Sequence, residues 1–317
     1  MQQKFPDWKR FNTDRIMESI TLQQKDIVLT KETATSKIIF TNDRIYKVKK
    51  NVVIFPFIDY STGEERYTRI TREFTKGKEY SPEIYICQTL LNGPNIINEP
   101  SICMSRGDSS RSTLFDYLST HVSNSLILDD LLNDIKRFHT HTRMVLPAAD
   151  HGIMSLKRRF SMLCEEAAVL NKKLDKNYLQ LIDSNIAYYD AEYSNRFSRG
   201  FIRELHGDLH TNNILYDEKN FYLFDFLDFD DSYTTGDYLQ DIGFLLADMY
   251  FFGVLQMESN KIEEIANFFN DRPGLLLLFS AYGALNRANV FEYDKQYKAN
   301  LFYDISYMLL LKGKEYL

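Results

Sequence analysis

The sequence predicts an α+β chain in which a small antiparallel β-sheet precedes a mostly helical remainder. Three observations carry this expectation. Ser36–Phe40 and Arg44–Val48 alternate around Thr41-Asn42-Asp43, a hairpin signature with a tight turn. From Ser112 onward the apolar residues recur at helical spacing. Within that helical part, Leu205–Asp231 (LHGDLHTNNILYDEKNFYLFDFLDFDD) breaks the period. Its apolar beads, Ile214 and Leu215, then Tyr222, Leu223 and Phe224, read as two short buried strands joined by the turn Asp217–Asn220.

Taken in order, residues 1–34 form a lead-in with a helix expected near Thr13–Gln24. The hairpin follows. Thr62–Tyr80 is a charged helix whose buried face is expected at Tyr67, Ile70 and Phe74, spaced i, i+3, i+7. Glu73 lies one step from that face, from where it could reach inward; by spacing alone it is more often a solvated residue. Glu64, Glu65 and Glu79 read as surface charge. Pro82–Leu90 and Ser101–Arg106 read as the next strands, and Arg106–Arg111 as a polar turn that ends the sheet region.

The helical part begins with Thr113–His121 and Leu128–Met144, the latter carrying Leu131, Leu132, Ile135, Phe138 and Thr142 on one stripe. His139 and His141, two apart, fall on different helix faces, so they do not form a metal pair. His139 reads as a packed histidine. Leu156–Leu174 and Tyr178–Arg196 are amphipathic helices, and Phe201–Leu205 is a short strand. Ser232–Asp237 reads as a polar loop and Leu239–Gly253 as a buried helix. Ile262–Phe269, Gly274–Tyr293 and Gln296–Lys312 complete the chain, with Arg287 expected in a surface ion pair, reach to the acidic site being the alternative.

Composition narrows the function. The chain has 317 residues and a net charge of −6, which argues against nucleic acid and against an anionic membrane surface as partners. Residues 1–100 hold 16 basic and 13 acidic side chains, whereas the rest hold 22 and 31. An acidic second part suits a cationic or metal-accompanied substrate; ordinary solvated acidic faces explain it equally well. Cys87, Cys103 and Cys164 are widely spaced with no CxxC, as in reduced core residues of a cytoplasmic protein. MQQKFPDWKRF has no apolar core and is not expected to be a signal peptide. The longest apolar run, Ile242–Leu255, contains Asp248 and is too short to span a bilayer.

The chemistry concentrates in Leu205–Asp231. His206, Asp208 and Asn213 sit on the loop before the first short strand, and Asp225 and Asp228 follow the second. Two carboxylates and a carboxamide suit magnesium, which takes one or two carboxylates and leaves its other positions to phosphate oxygens and water. His206-Gly207-Asp208, with Asn213 five residues after the aspartate and Asp225-Phe226 a dozen residues on, resembles the catalytic loop and metal-binding aspartate of the protein-kinase-like fold. The form HGDLHxxN…FDFxDF is similar to the aminoglycoside phosphotransferase and choline kinase superfamily. Eukaryotic protein kinases instead carry arginine before the aspartate and glycine after the Asp-Phe pair, where Gly207 and Leu227 stand here. GDYLQDIGFLLAD (Gly236–Asp248) continues the pattern. FSAYGALNRANV resembles the C-terminal helix of uncharacterised bacterial members, so the resemblance runs from about Ser36 to Asn289.

The resemblance implies a two-lobed protein-kinase-like fold, with a nucleotide-binding N-lobe at 35–106 and a catalytic, substrate-binding C-lobe at 107–317. Arg44-Ile45-Tyr46-Lys47 then corresponds to the V-A-I-K strand. Ile45 and Lys47 face the nucleotide, with Lys47 on the α- and β-phosphates; Lys49, on the same face, is the alternative. Glu73 is the glutamate that pairs with the lysine. Met104 packs near the adenine, or is core filler. No GxGxxG loop is present. Asp208 accepts or orients the acceptor hydroxyl, Asn213 and Asp225 hold Mg2+, and Asp228 is an outer-shell contact or second metal ligand. His206 locks the loop and Asp241 braces it. The implied activity is Mg2+-dependent transfer of the γ-phosphoryl group of ATP, or of GTP, to a small-molecule hydroxyl. A protein kinase of bacterial toxin type and a nucleotide-binding pseudokinase are the alternatives. The acceptor and the oligomeric state are left open.

Overall fold

The computed structural model describes residues 17–54, 58–107, 111–121, 125–144, 155–228, 234–257, 260–292 and 295–316. The protein is α+β and divides into two compact units, Met1–Arg111 with Asp217–Asp228, and Ser112–Tyr216 with Phe229–Leu317.

The first unit is built on a six-stranded sheet. Its elements are β1 (Ser19–Thr21), β2 (Leu29–Glu32), β3 (Ser36–Phe40), β4 (Arg44–Lys49), the short pair β5 (Val53–Ile54) and β6 (Ile58–Asp59), helix α1 (Gly63–Tyr80), β7 (Tyr85–Gly93) and β8 (Ile96–Ser105). The main sheet runs β1-β7-β8-β4-β3-β2. The β3–β4 hairpin forms where the sequence places it, with Phe40 opposite Ile45. Thr41 closes the turn: its N–H donates to the Arg44 carbonyl (2.9 Å) and its Oγ1 accepts from the Arg44 N–H (3.0 Å). One sheet face holds Ile39, Tyr46, Val48, Leu91, Ile96 and Cys103 in a continuous core. Alternation along β4 puts Ile45, Lys47 and Lys49 on the other face. Register sets Ile45 opposite Met104 and Lys47 opposite Ile102.

Two expectations are corrected here. Of the helix expected over Thr13–Gln24, residues 13–16 lie outside the described residues, and 17–24 contain no α-helix. Ser19–Thr21 instead runs parallel to β7, with the Leu22 N–H donating to the Asn92 carbonyl (2.8 Å). An open sheet edge offers unpaired backbone groups to a β-branched segment, and that pairing overrides the helical spacing. The strand expected at Ser101–Arg106 begins five residues earlier, at Ile96. Pro100 obscures it. It sits opposite Leu90 of β7, and the β4 pairing on its other side stops at Ser101, so no donor is missed.

The second unit comprises β9 (Ser112–Thr113), α2 (Leu114–Thr120), α3 (Ser125–His141), α4 (Leu156–Val169), α5 (Lys176–Ser198), β10 (Ile202–Glu204) and β11 (Ile214–Tyr216). The chain then visits the first unit through β12 (Phe221–Leu223). It returns for β13 (Thr235–Asp237), α6 (Leu239–Phe251), α7 (Lys261–Phe269), α8 (Pro273–Glu292) and α9 (Gln296–Gly313). The helices match the spacing closely, with α4 ending early because Asn171 adopts a left-handed conformation (φ 60°). Part of the expected Ser232–Asp237 loop lies outside the described residues; its end is β13, paired antiparallel with β10. Among the described residues no helix is long and apolar enough to cross a membrane.

Helices α6 and α8 meet at Gly243 and Gly283. A Cβ on Gly243 would lie 2.3 Å from the Phe279 carbonyl carbon and oxygen, and one on Gly283 would lie 2.8 Å from the Gly243 carbonyl oxygen. Both obstacles are backbone, which cannot swing aside. Gly243→Ala should therefore destabilise by about 1–3 kcal/mol in urea unfolding, despite the gain of up to about 1 kcal/mol in helix propensity. A stabilised variant would contradict this packing.

Candidate active site

In the first unit the described side chains of interest gather around α1. Thr62 caps this helix, accepting from the Glu65 N–H (3.1 Å). Its buried face is Arg66, Ile70, Glu73 and Gly77, whereas Tyr67 and Phe74 are only half-buried. The face is thus rotated from the one expected, because polar partners select it. Arg66 forms a two-pronged pair with Glu99 (2.9 and 3.0 Å) and donates to the Tyr60 carbonyl (3.0 Å). Glu73, 1% exposed, accepts from Lys47 Nζ at Oε1 (2.8 Å), and Lys49 Nζ stands 3.3 Å from Oε2. Gly77 makes room for the Tyr85 ring, which a Cβ would approach to 2.3 Å.

Lys47 also pairs with Asp225. Burial works against the Lys47 ammonium, but Asp225 and Glu73 outweigh it and hold its pKa well above the ordinary lysine value. Burial pushes the Glu73 carboxyl up, with Lys47 and Lys49 pulling the other way. Asp225 takes a left-handed conformation (φ 60°), and its N–H donates to the Tyr85 hydroxyl (2.9 Å). Its side chain remains 46% exposed. Phe226, next in sequence, packs on Tyr80 and Tyr85 (ring centroids 5.9 and 6.2 Å). Asp228 is buried: Lys49 Nζ is 2.6 Å from Oδ2, and Tyr60 donates to Oδ1 (3.0 Å). Ile45 and Met104 lie beside Lys47 on the same sheet face, Met104 buried and Ile45 half-buried. Tyr60 and Tyr85 are the parts of this cluster that spacing does not single out, and Lys49, the alternative on the same strand face, sits beside Lys47 on Glu73.

In the second unit, Leu205–Asn213 forms the loop that carries Asp208. Asp241, from the first turn of α6, accepts from the main-chain N–H of His206 (2.8 Å) and Gly207 (2.9 Å), the bracing role expected of it. His206 Nδ1 accepts from the Asp208 N–H (3.4 Å). Asn213 Nδ2 donates to the Asp208 carbonyl (2.9 Å) and to Oδ2 (3.1 Å). His210 Nε2 stands 3.4 Å from Asp208 Oδ2. Burial would raise the Asp208 carboxyl, but His210, then His206 and Arg287, hold it well below the usual carboxylate range. Burial pushes His139 down to about 3, so it is neutral and packs edge-on against Phe138 and Tyr238.

Arg287 is 3% exposed, which sets aside the surface ion pair in favour of the alternative inward reach. Its Nε donates to Asp248 Oδ1 (3.1 Å) and its Nη2 to Asn212 Oδ1 (2.8 Å). Asp248 Oδ2 in turn accepts from the Thr211 N–H (2.9 Å) and hydroxyl (2.5 Å). The neighbourhood of an apolar helix conceals this pair from sequence reasoning, since Asp248 and Arg287 are 39 residues apart on different helices.

A lysine–glutamate pair on a largely antiparallel sheet unit, with an HGD loop on a helical unit, defines a protein of the kinase-like fold. The chain belongs to the phosphotransferase enzyme family, whose model matches residues 114–275. Uncharacterised proteins of Mycobacterium tuberculosis (strain H37Rv) and Mycobacterium bovis are each 24% identical over 232 residues, covering 70% of this chain and 46% of theirs. The chain thus spans about half the length of the curated relatives it matches. Among solved structures, the GDP complex of wild-type aminoglycoside 2'-phosphotransferase-IIIa is similar with a TM-score of 0.50 and 13% identity, over 93% of this chain and 95% of that one. A GDP and kanamycin complex of the corresponding enzyme gives 0.50 and 13%, over 91% and 94%. At these identities the likeness establishes the fold.

Two outcomes follow. Asp241→Ala strands two buried N–H donors and should cost about 2–4 kcal/mol in denaturant unfolding; a cost under about 0.5 kcal/mol would refute the bracing role. A depressed folded-state pKa contributes stability above the unfolded value, about 3.9, that is lost as pH falls through the folded one. The stability difference between wild type and Asp208→Asn should therefore shrink as pH drops below about 4. A difference that does not change with acid pH would show that Asp208 is unperturbed.

Proposed function

We propose that this protein transfers the γ-phosphoryl group of a nucleoside triphosphate, ATP with GTP as the alternative, to a hydroxyl of a small molecule, with Mg2+. The observation that carries the reading is the buried Lys47–Glu73 pair, with Lys47 also on the half-exposed Asp225. A lysine fixed in this way is a ready partner for phosphate oxygens. Ile45 and Met104 offer apolar contact to a base beside it.

The donor set fits magnesium. Among the described residues no group of three or more histidine, cysteine or acidic side chains is placed to hold a metal alone. Asp225 on the first unit and Asn213 on the second each offer an oxygen donor of the type that Mg2+ would take beside phosphate oxygens and water. When bound, the ion supplies neutralisation of the phosphate charge. Lys47 adds a second positive charge to the phosphates. Asp208, ionised at neutral pH, orients the acceptor hydroxyl and takes its proton. The acceptor oxygen forms its bond to the γ-phosphorus as the β–γ bridging bond breaks, and the nucleoside diphosphate leaves.

The test is incubation of the purified protein with γ-labelled ATP, Mg2+ and a cell extract. Label should enter a small molecule. Asp208→Ala should lower the transfer by roughly 10²–10⁴-fold while ATP binding persists. Label on an extract protein would instead show a protein kinase. ATP binding without turnover would show a pseudokinase, and absence of any purine triphosphate binding at millimolar Mg2+ would reject the assignment.

A further inference from the structure

The first unit sorts two aspartates, three residues apart, into different environments. Asp225 keeps a half-exposed side chain and shares Lys47 with Glu73. Asp228 is held at three atoms. Its Oδ1 accepts from Tyr60, its Oδ2 lies 2.6 Å from Lys49 Nζ, and its main-chain carbonyl accepts from Arg69 Nη1 (3.0 Å). Lys49 and Asp228 side chains are each 5% exposed.

Lys49 reaches further than one partner. Its Nζ is also 3.3 Å from Glu73 Oε2, while Lys47 occupies Oε1 of the same carboxylate. Oδ2 of Asp228 and Oε2 of Glu73 are both buried, and neither receives a directed hydrogen bond from the described residues. Their compensation is the charge of Lys49. Stripped of it, Asp228 becomes a buried carboxylate with no lysine to offset its charge, and both it and Asp225 act on Glu73. Three carboxylates (Glu73, Asp225, Asp228) would then share Lys47 as their one lysine, with Arg69 on the Asp228 carbonyl.

We propose that Lys49 is a positioning residue for the nucleotide–metal site. By holding Asp228 and the inner oxygen of Glu73, it keeps Asp228 out of the metal's ligand set and leaves Lys47 and Asp225 to meet the metal-bound phosphates. The inference rests on the phosphoryl-transfer reading above.

The experiment measures binding of AMP-PNP with Mg2+ by calorimetry, and binding of Mn2+ with AMP-PNP by electron paramagnetic resonance, on the full chain. Lys49→Met should weaken AMP-PNP binding by roughly 10–100-fold, the usual scale for losing an outer-shell partner, and move the Mn2+ half-saturation point. Lys49→Arg, which keeps the charge, should recover most of the affinity. Lys49→Met combined with Asp228→Asn removes the orphaned charge as well. It should bring the Mn2+ profile back toward wild type, and it guards against the single variant failing to fold. A merely structural lysine predicts something else: a lower unfolding midpoint and fewer competent sites, with wild-type affinity in those that remain. That split would overturn the proposal. So would folded Asp228→Asn that has lost Mn2+ outright, since Asp228 would then be a ligand. If the wild type binds no purine triphosphate at all, the functional reading fails, and the inference goes with it. Wild-type binding with an indifferent Lys49→Met sinks the inference alone.

Discussion

Glu73 carries a carboxylate in the middle of a helix at 1% exposure, a position that an acidic side chain holds only with cations at hand. Two lysines from one strand supply them. Because β4 alternates, Lys47 and Lys49 emerge on the same face, and a single glutamate can bridge the pair with its two oxygens. This contact sets the rotation of α1. With Glu73 turned inward, Gly77 one turn later must face the sheet, and the space left by its missing side chain admits the Tyr85 ring. The Tyr85 hydroxyl then accepts from the Asp225 N–H and fixes the backbone there. The order of dependence runs from charge to helix rotation to aromatic packing to the conformation of one aspartate.

The second unit uses the same logic with carboxylates as acceptors. Asp241 and Asp248, both fully buried on α6, take backbone N–H groups of the Asp208 loop that no secondary structure satisfies. Arg196 clamps Asp237 and Asp271 (2.8 and 2.9 Å), which ties α5 to β13 and to the start of α8. These contacts hold the loop through its main chain from outside, and Asn213 adds one from within by donating to the Asp208 carbonyl. Breaking one of these buried pairs by removing a single partner leaves an uncompensated charge, so the loop geometry is expensive to disturb.

Much of this was legible in the sequence. The β3–β4 hairpin, the helices of the second part and the bracing role of Asp241 follow from alternation, helical spacing and the HGD pattern. What was hidden has a common cause. Glu73 and Arg287 look solvated because spacing weighs only apolar neighbours, and both are buried by ion pairs with residues 26 and 39 positions away. β1 and the early part of β8 were missed for a related reason. Their pairing depends on partner strands from distant sequence, and a proline opposite Leu90 looks like a break until the neighbouring ladder is seen to end beside it.

The choice between Lys47 and Lys49 shows where a motif stops being informative. A strand motif specifies a face, and both lysines occupy it, so spacing offers no ground for preferring one. Burial separates them through their second partners. Lys47 shares its charge with an aspartate that keeps nearly half its side chain in solvent, whereas Lys49 shares with an aspartate that has lost almost all of its own. A half-exposed carboxylate can release its lysine at little desolvation cost; a buried one bound to a phenol and a lysine must first give up both. The same two residue types, at i and i+2 on the strand and i and i+3 after β12, thus acquire different chemistry from solvent access alone.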